Sequence, residues 1–286
     1  MEWRGRRGSN NIEDRRRAGP SRGGMVGGGG VGIVVLALVV WALGGNPMDV
    51  LTQGGGSIQP GGGQSAEITP ADEEAAKFVS VTLADTEEVW ARIFQEQVGQ
   101  AYTPVTLVLF KDATQSACGG ASAATGPFYC PVDKKAYLDT GFFSTMAQQL
   151  GAGGDFAQAY VVAHEIGHHV QDELGILEKA NSVRQQVSEA ESNQISVQIE
   201  LQADCLSGIW ARSASEMFGS IDQGDVDEAM NAARQIGDDT LQRNAGRNPM
   251  PDSFTHGTSE QRSRWFMTGM QSGQLADCDT FAADSL

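Results

Sequence analysis

The stretch VVAHEIGHHVQ, residues 161–171, carries His164, Glu165 and His168 in the spacing H-E-x-x-H. On an α-helix the two histidines stand at i and i+4, so both imidazoles leave one face about one turn apart and can grip a single Zn²⁺. Glu165 then lies beside the metal without binding it, where a carboxylate can take a proton from water. His169 projects about 100° away around the helix and is expected to pack or to face solvent. A pattern with three fixed positions recurs by chance in unrelated proteins, so the reading requires a third ligand.

A catalytic zinc takes three protein ligands and keeps one position open. The extended motif H-E-x-x-H-x-x-G-x-x-H does not supply the third, because position 174 is Leu. ELQAD, residues 200–204, does: Glu200 and Asp204 share a helical face, so Glu200 completes a His₂Glu set. Asp204, one turn on, is placed to accept the free imidazole N–H of a ligand histidine and fix its tautomer. Glu189 and Glu191 are weaker ligand candidates, since neither has a carboxylate four residues on.

Charge is unevenly spread along the 286 residues. Seven of the 20 basic side chains but three of the 36 acidic ones fall in residues 1–24, which leaves a net −20 downstream. Such a surface repels phosphate, which argues against nucleic acid as a partner. Residues 25–45, MVGGGGVGIVVLALVVWALGG, contain no charged side chain. Their length suits a helix crossing a bilayer, and the arginines before it point to a cytoplasmic amino terminus. A cleaved signal peptide is the competing reading; the long basic segment and the lack of an A-x-A site argue against it. The expected organisation is therefore a basic cytoplasmic segment (1–24), a single-pass membrane anchor (25–45), a Gly-rich linker (46–68) and an extracytoplasmic domain (69–286). Nothing in the sequence fixes an oligomeric state.

The domain is expected to open at TPADEEAAKFV with Thr69 as N-cap, and TPVTLVLF (103–110) and KKAYLDT (134–140) read as strands. Helices dominate the remainder, including 176–217, 224–237 and 258–270. The four cysteines, Cys118, Cys130, Cys205 and Cys278, suit an oxidising compartment. Three pairings are open; Cys118 and Cys130 bracket a Gly/Ala/Ser loop that a local bridge would staple, leaving Cys205 with Cys278. A cysteine zinc site is disfavoured by the absence of any C-x-x-C.

HEIGHHVQ, ELQADCLSGIW and FTHGTSEQRSRWF together resemble a bacterial family of neutral zinc metallopeptidases, membrane-anchored proteins with one extracytoplasmic domain. The resemblance spans most of residues 69–280, with a looser similarity to gluzincin peptidases. It implies a zincin-like α+β domain, mainly helical with a small sheet, in which His164, His168 and Glu200 hold Zn²⁺. It also suggests that His256, in the T-H motif, stabilises an oxyanion, while Arg262 and Arg264 either pair with acid or touch substrate. A peptide or protein substrate would lie along a sheet edge, for which AYLDT (136–140) is the local candidate. Two alternatives remain, a zinc-stabilised envelope scaffold and an amidase acting on cell-wall peptides.

Overall fold

Thr69 accepts a hydrogen bond from the Asp72 backbone N–H while the Asp72 carboxylate takes one from the Thr69 N–H. This reciprocal cap, with Pro70 at the first helical position, starts helix α1, Pro70–Ile93. The computed structural model describes residues 1–17, 67–122 and 125–286. Among the described residues the strands are β1 (Ile12–Asp14), β2 (Thr106–Phe110), β3 (Ala113–Ser116), β4 (Gly119–Ser122), β5 (Phe128–Cys130) and β6 (Lys135–Asp139). After α1 come α2 (Phe142–Gln149), α3 (Asp155–Glu173), α4 (Ile176–Arg184), α5 (Glu189–Phe218), α6 (Gln223–Gln235), α7 (Asp238–Asn244) and α8 (Ser259–Ser272).

The main sheet runs β1-β2-β6-β5, with β1, β2 and β6 parallel and β5 antiparallel to β6. Both faces of β2 and β6 are buried. Leu107, Leu109, Ala136 and Leu138 enter the helical core, while Val108, Phe110 and Tyr137 form a second cluster with Ala121 of β4 and Cys130. The β3–β4 hairpin thus covers the face away from the helices, and the Cys118–Cys130 disulfide fastens it to β5. AYLDT, expected at a sheet edge, lies inside the sheet: β6 is bonded to β2 on one side and β5 on the other. Short-range pattern identifies such a strand but carries no information on its neighbours.

The expected helical character holds, with small sheets beside it. The transmembrane helix expected before the domain does not. Among the described residues no helix is long and apolar enough to cross a membrane, and residues 25–45 lie outside them. The Arg-rich start, expected across the membrane from the domain, is built into it. β1 pairs with β2 in register Ile12↔Leu107, and Arg6 makes two 2.7 Å bonds to the buried Asp85 of α1. Arg16 is buried and donates to the Asp72 carbonyl at 2.9 Å, and the Met1 ammonium lies 2.8 Å from Asp155 and 2.6 Å from Asp225. A single crossing would separate segments that here share one sheet. The carboxylates Asp155, Asp225 and Glu228 cluster closely enough to hold a cation, and the Met1 ammonium already meets two of them.

α5 and α8 pack backbone against backbone. A Cβ on Gly208 would fall 2.0 Å from the Phe266 carbonyl oxygen, and one on Gly269 would fall 1.8 Å from that of Cys205. Gly269→Ala gains about 1 kcal/mol of helix propensity. It must also push the paired backbones apart, an overpacking cost at the upper end of roughly 1–3 kcal/mol or beyond. Net destabilisation is expected, read as a lower urea midpoint at unchanged m-value; an unchanged midpoint would refute the contact.

Candidate metal centre

α3 and α5 approach closely because small residues face each other where they meet. A Cβ on Gly167 would lie 3.1 Å from the carbonyl oxygen of Ala203. Gly167 separates His164 from His168, and Ala203 separates Glu200 from Asp204, so this contact sets the two halves of the site face to face. α5 is capped by Ser188 and Glu191, which accounts for Glu191 without a metal.

His164, His168 and Glu200 each direct one ligand atom into a space where all three atoms lie within 4.8 Å of one another. His164 Nε2 is 3.0 Å and His168 Nε2 3.6 Å from the Glu200 carboxylate. A tetrahedral zinc with bonds of about 2.0–2.2 Å has ligand–ligand edges of roughly 3.4 Å, which these distances bracket. The Nδ1 atoms face outward, His164 to Asp204 at 2.9 Å and His168 to Gln171 at 2.8 Å. Both Nε2 atoms are therefore left for a metal.

The electrostatics favour a cation. Burial pulls the His164 imidazole toward its neutral form, yet Asp204 and Glu200 outweigh it and push the group up to about 10. Burial likewise opposes the charge on Glu200, but His168, His256 and His164 hold its carboxyl well below the usual range. Glu165 moves the other way: it is buried, and desolvation raises it against the pull of His168 and His164.

Asp204 is fully buried and completely engaged. It accepts from Arg262 Nε at 2.8 Å and Nη2 at 2.9 Å, from the Tyr160 hydroxyl, and from His164. Arg262 thus pairs with acid in the interior; Arg264 is exposed. His256 is brought near enough for its charge to act on Glu200, and its loop hangs on Asp238, which accepts the backbone N–H groups of Thr255, His256 and Gly257 at 2.7–3.1 Å. His169 packs in the interior, 2.7 Å from the Thr103 carbonyl and 3.1 Å from the Tyr129 hydroxyl. The second disulfide joins Cys205 of α5 to Cys278.

Sequence reasoning misses Tyr160, Gln171 and Asp238. Tyr160 stands four residues before His164 and Gln171 three after His168, so helical spacing from the ligands is the signal that marks the first two.

Two imidazoles and a carboxylate converging in this way, with a second carboxylate facing one of the rings, match the donor set of a catalytic zinc site. The chain matches, over residues 1–281, the family described as "Putative neutral zinc metallopeptidase", and it belongs to that family. It is 45% identical over 288 residues to "Uncharacterized protein YpfJ" of Escherichia coli (strain K12), covering 98% of this chain and 99% of that one. It is 39% identical over 243 residues to "Uncharacterized protein Rv2575" of Mycobacterium tuberculosis (strain ATCC 25618 / H37Rv), covering 80% and 79%. No solved structure matches the chain. Membership implies zinc as cofactor, hydrolysis as the reaction and a peptide or protein as substrate.

Removing Arg262 strands the Asp204 carboxylate. Arg262→Met is expected to cost about 3–5 kcal/mol, as for other broken buried pairs, and Asp204→Asn in the same chain to recover some of it. Chemical denaturation of both single variants and the double variant measures this, and strict additivity would show that the pair is not coupled.

Proposed function

We propose that this protein cleaves peptide bonds in an oxidising, extracytoplasmic compartment, with His164 Nε2, His168 Nε2 and Glu200 holding Zn²⁺ and Glu165 as general base. The observation that carries the reading is the convergence of three ligand atoms within 4.8 Å beside a buried carboxylate that is not one of them. Zinc, when bound, supplies Lewis acidity toward the scissile carbonyl and toward water. Glu165, raised by burial, takes the proton of the attacking water and passes it to the leaving amine. His256, anchored through Asp238, donates to the oxyanion that forms on the carbonyl. Asp204 fixes the His164 ring so that Nδ1 keeps its proton and Nε2 stays free. An extended substrate has β5 to add to, a sheet-edge strand that packs against α3. The two disulfides favour the oxidising compartment.

A scaffold that merely binds zinc needs no base, and Glu165 separates the two readings. Glu165→Gln is expected to keep its zinc and its melting temperature while losing about 10²- to 10⁴-fold in cleavage of an unstructured protein such as casein, roughly 3–5 kcal/mol of barrier. Equal cleavage by wild type and variant would assign the activity elsewhere. His164→Ala, His168→Ala and Glu200→Ala should each lose zinc by elemental analysis, and full content in Glu200→Ala would move the third ligand to another residue.

A further inference from the structure

The two ligand histidines are oriented by different chemistry. His164 Nδ1 faces the carboxylate of Asp204, whereas His168 Nδ1 lies 2.8 Å from Oε1 of a neutral amide, Gln171. An imidazole that gives Nε2 to a metal carries its proton on Nδ1, so His168 donates and Gln171 Oε1 accepts. This choice turns the Gln171 amide nitrogen toward α5. There it donates to the Ile199 carbonyl at 2.8 Å and to Gln202 Oε1 at 3.0 Å, which uses both of its protons. With its oxygen so occupied, Gln202 donates through Nε2 to the Cys278 carbonyl at 2.9 Å.

Every link fixes the direction of the next. A flipped Gln171 would set its NH₂ against the His168 N–H and its oxygen against the Ile199 carbonyl, leaving donors facing donors and acceptors facing acceptors. Gln171 is 0% and Gln202 5% exposed, so water cannot replace what a flip would lose. The relay ends at Cys278, whose sulfur is bonded to Cys205 on the same helix as Gln202. Ile199 immediately precedes Glu200, so one amide joins the ring of one ligand to the helical turn that carries another.

We propose that Gln171 is a positioning residue for His168, and that Gln202 and the disulfide-held Cys278 carbonyl keep its amide in the orientation this role requires. The proposal rests on the zinc reading above. It adds that the C-terminal segment beyond α8 helps to set the metal geometry without touching the metal.

The test uses the full chain, with zinc affinity from competition against a chromophoric chelator and the visible spectrum of the Co²⁺-substituted protein. Wild type must bind one zinc; failure there overturns the metal reading and the relay together. With wild type binding, the variants judge the relay alone. Gln171→Leu is expected to weaken zinc by about 10- to 100-fold and to shift the Co²⁺ bands. Gln171→Met keeps the volume of the side chain without its amide and should weaken zinc and shift the Co²⁺ bands as Gln171→Leu does. Gln202→Leu, which removes no group in contact with a ligand, should weaken zinc in the same direction by a smaller factor. Wild-type affinity in a folded Gln171→Leu protein would overturn the proposal. So would a Gln171→Met protein that binds zinc as tightly as wild type, since the loss in Gln171→Leu would then come from helix packing. If Gln171→Leu does not fold, Gln202→Leu decides: an unchanged affinity and spectrum would refute the relay.

Discussion

The Asp204 carboxylate is the constraint on which the rest of the structure depends. An ionised carboxylate with no exposure costs several kcal/mol to bury unless its oxygens are fully engaged. Here Arg262 from α8 and Tyr160 and His164 from α3 supply the partners to an acid on α5. Three helices are thereby held in one relative register, because a slide of any of them would leave a charge uncompensated. The glycines make that register attainable: Gly167 lets α3 reach α5, and Gly208 with Gly269 lets α5 reach α8. Packing and electrostatics select the same arrangement, and His164 is one of the groups it holds in place.

The same residues link stability to chemistry. A guanidinium facing Asp204 lowers its basicity, so the acid remains a charged acceptor for the His164 N–H instead of taking the proton itself. Glu165, next to His164 on α3, is raised by burial, which outweighs the pull of His168, His164 and Arg262. Their surroundings thus shift two carboxylates in opposite directions, one held as an anion that accepts from a ring N–H and the other, the proposed base, raised so that it holds a proton more readily.

Local periodicity makes the centre legible. H-E-x-x-H and E-x-x-x-D announce themselves because a helix has one repeat, and the structure brings His164, His168 and Glu200 together. What the sequence conceals is long-range. The arginines of residues 1–17 look like a positive membrane flank by count, yet Arg6 finds Asp85 and Lys135 finds Glu13, partners that no charge tally reveals. β1 has three residues, too few for an alternating pattern to be recognised. The place of β6 inside the sheet depends on β5 and β2, not on its own residues. Gln171 resembles any polar residue at a helix end. Its full burial is what marks it, and burial is a property of the fold.

The components of the centre stand on two kinds of support, packed helices and a pinned turn. The proposed ligands stand on two helices whose backbones touch at Gly167 and Ala203, so their mutual distances cannot drift without opening the core. His256 instead sits on a turn. Asp238 gathers three successive backbone N–H groups from that turn, and Gly257 holds a φ of +88° there, a conformation that L side chains rarely adopt. The same carboxylate reaches the imidazole, whose Nδ1 lies 3.4 Å from it and 3.0 Å from the Thr255 hydroxyl, so one acid fixes both the turn and the ring it carries. The proposed ligands are thus placed by helix packing, and the imidazole proposed to meet charge on the substrate is placed by a loop pinned at its backbone and at its ring.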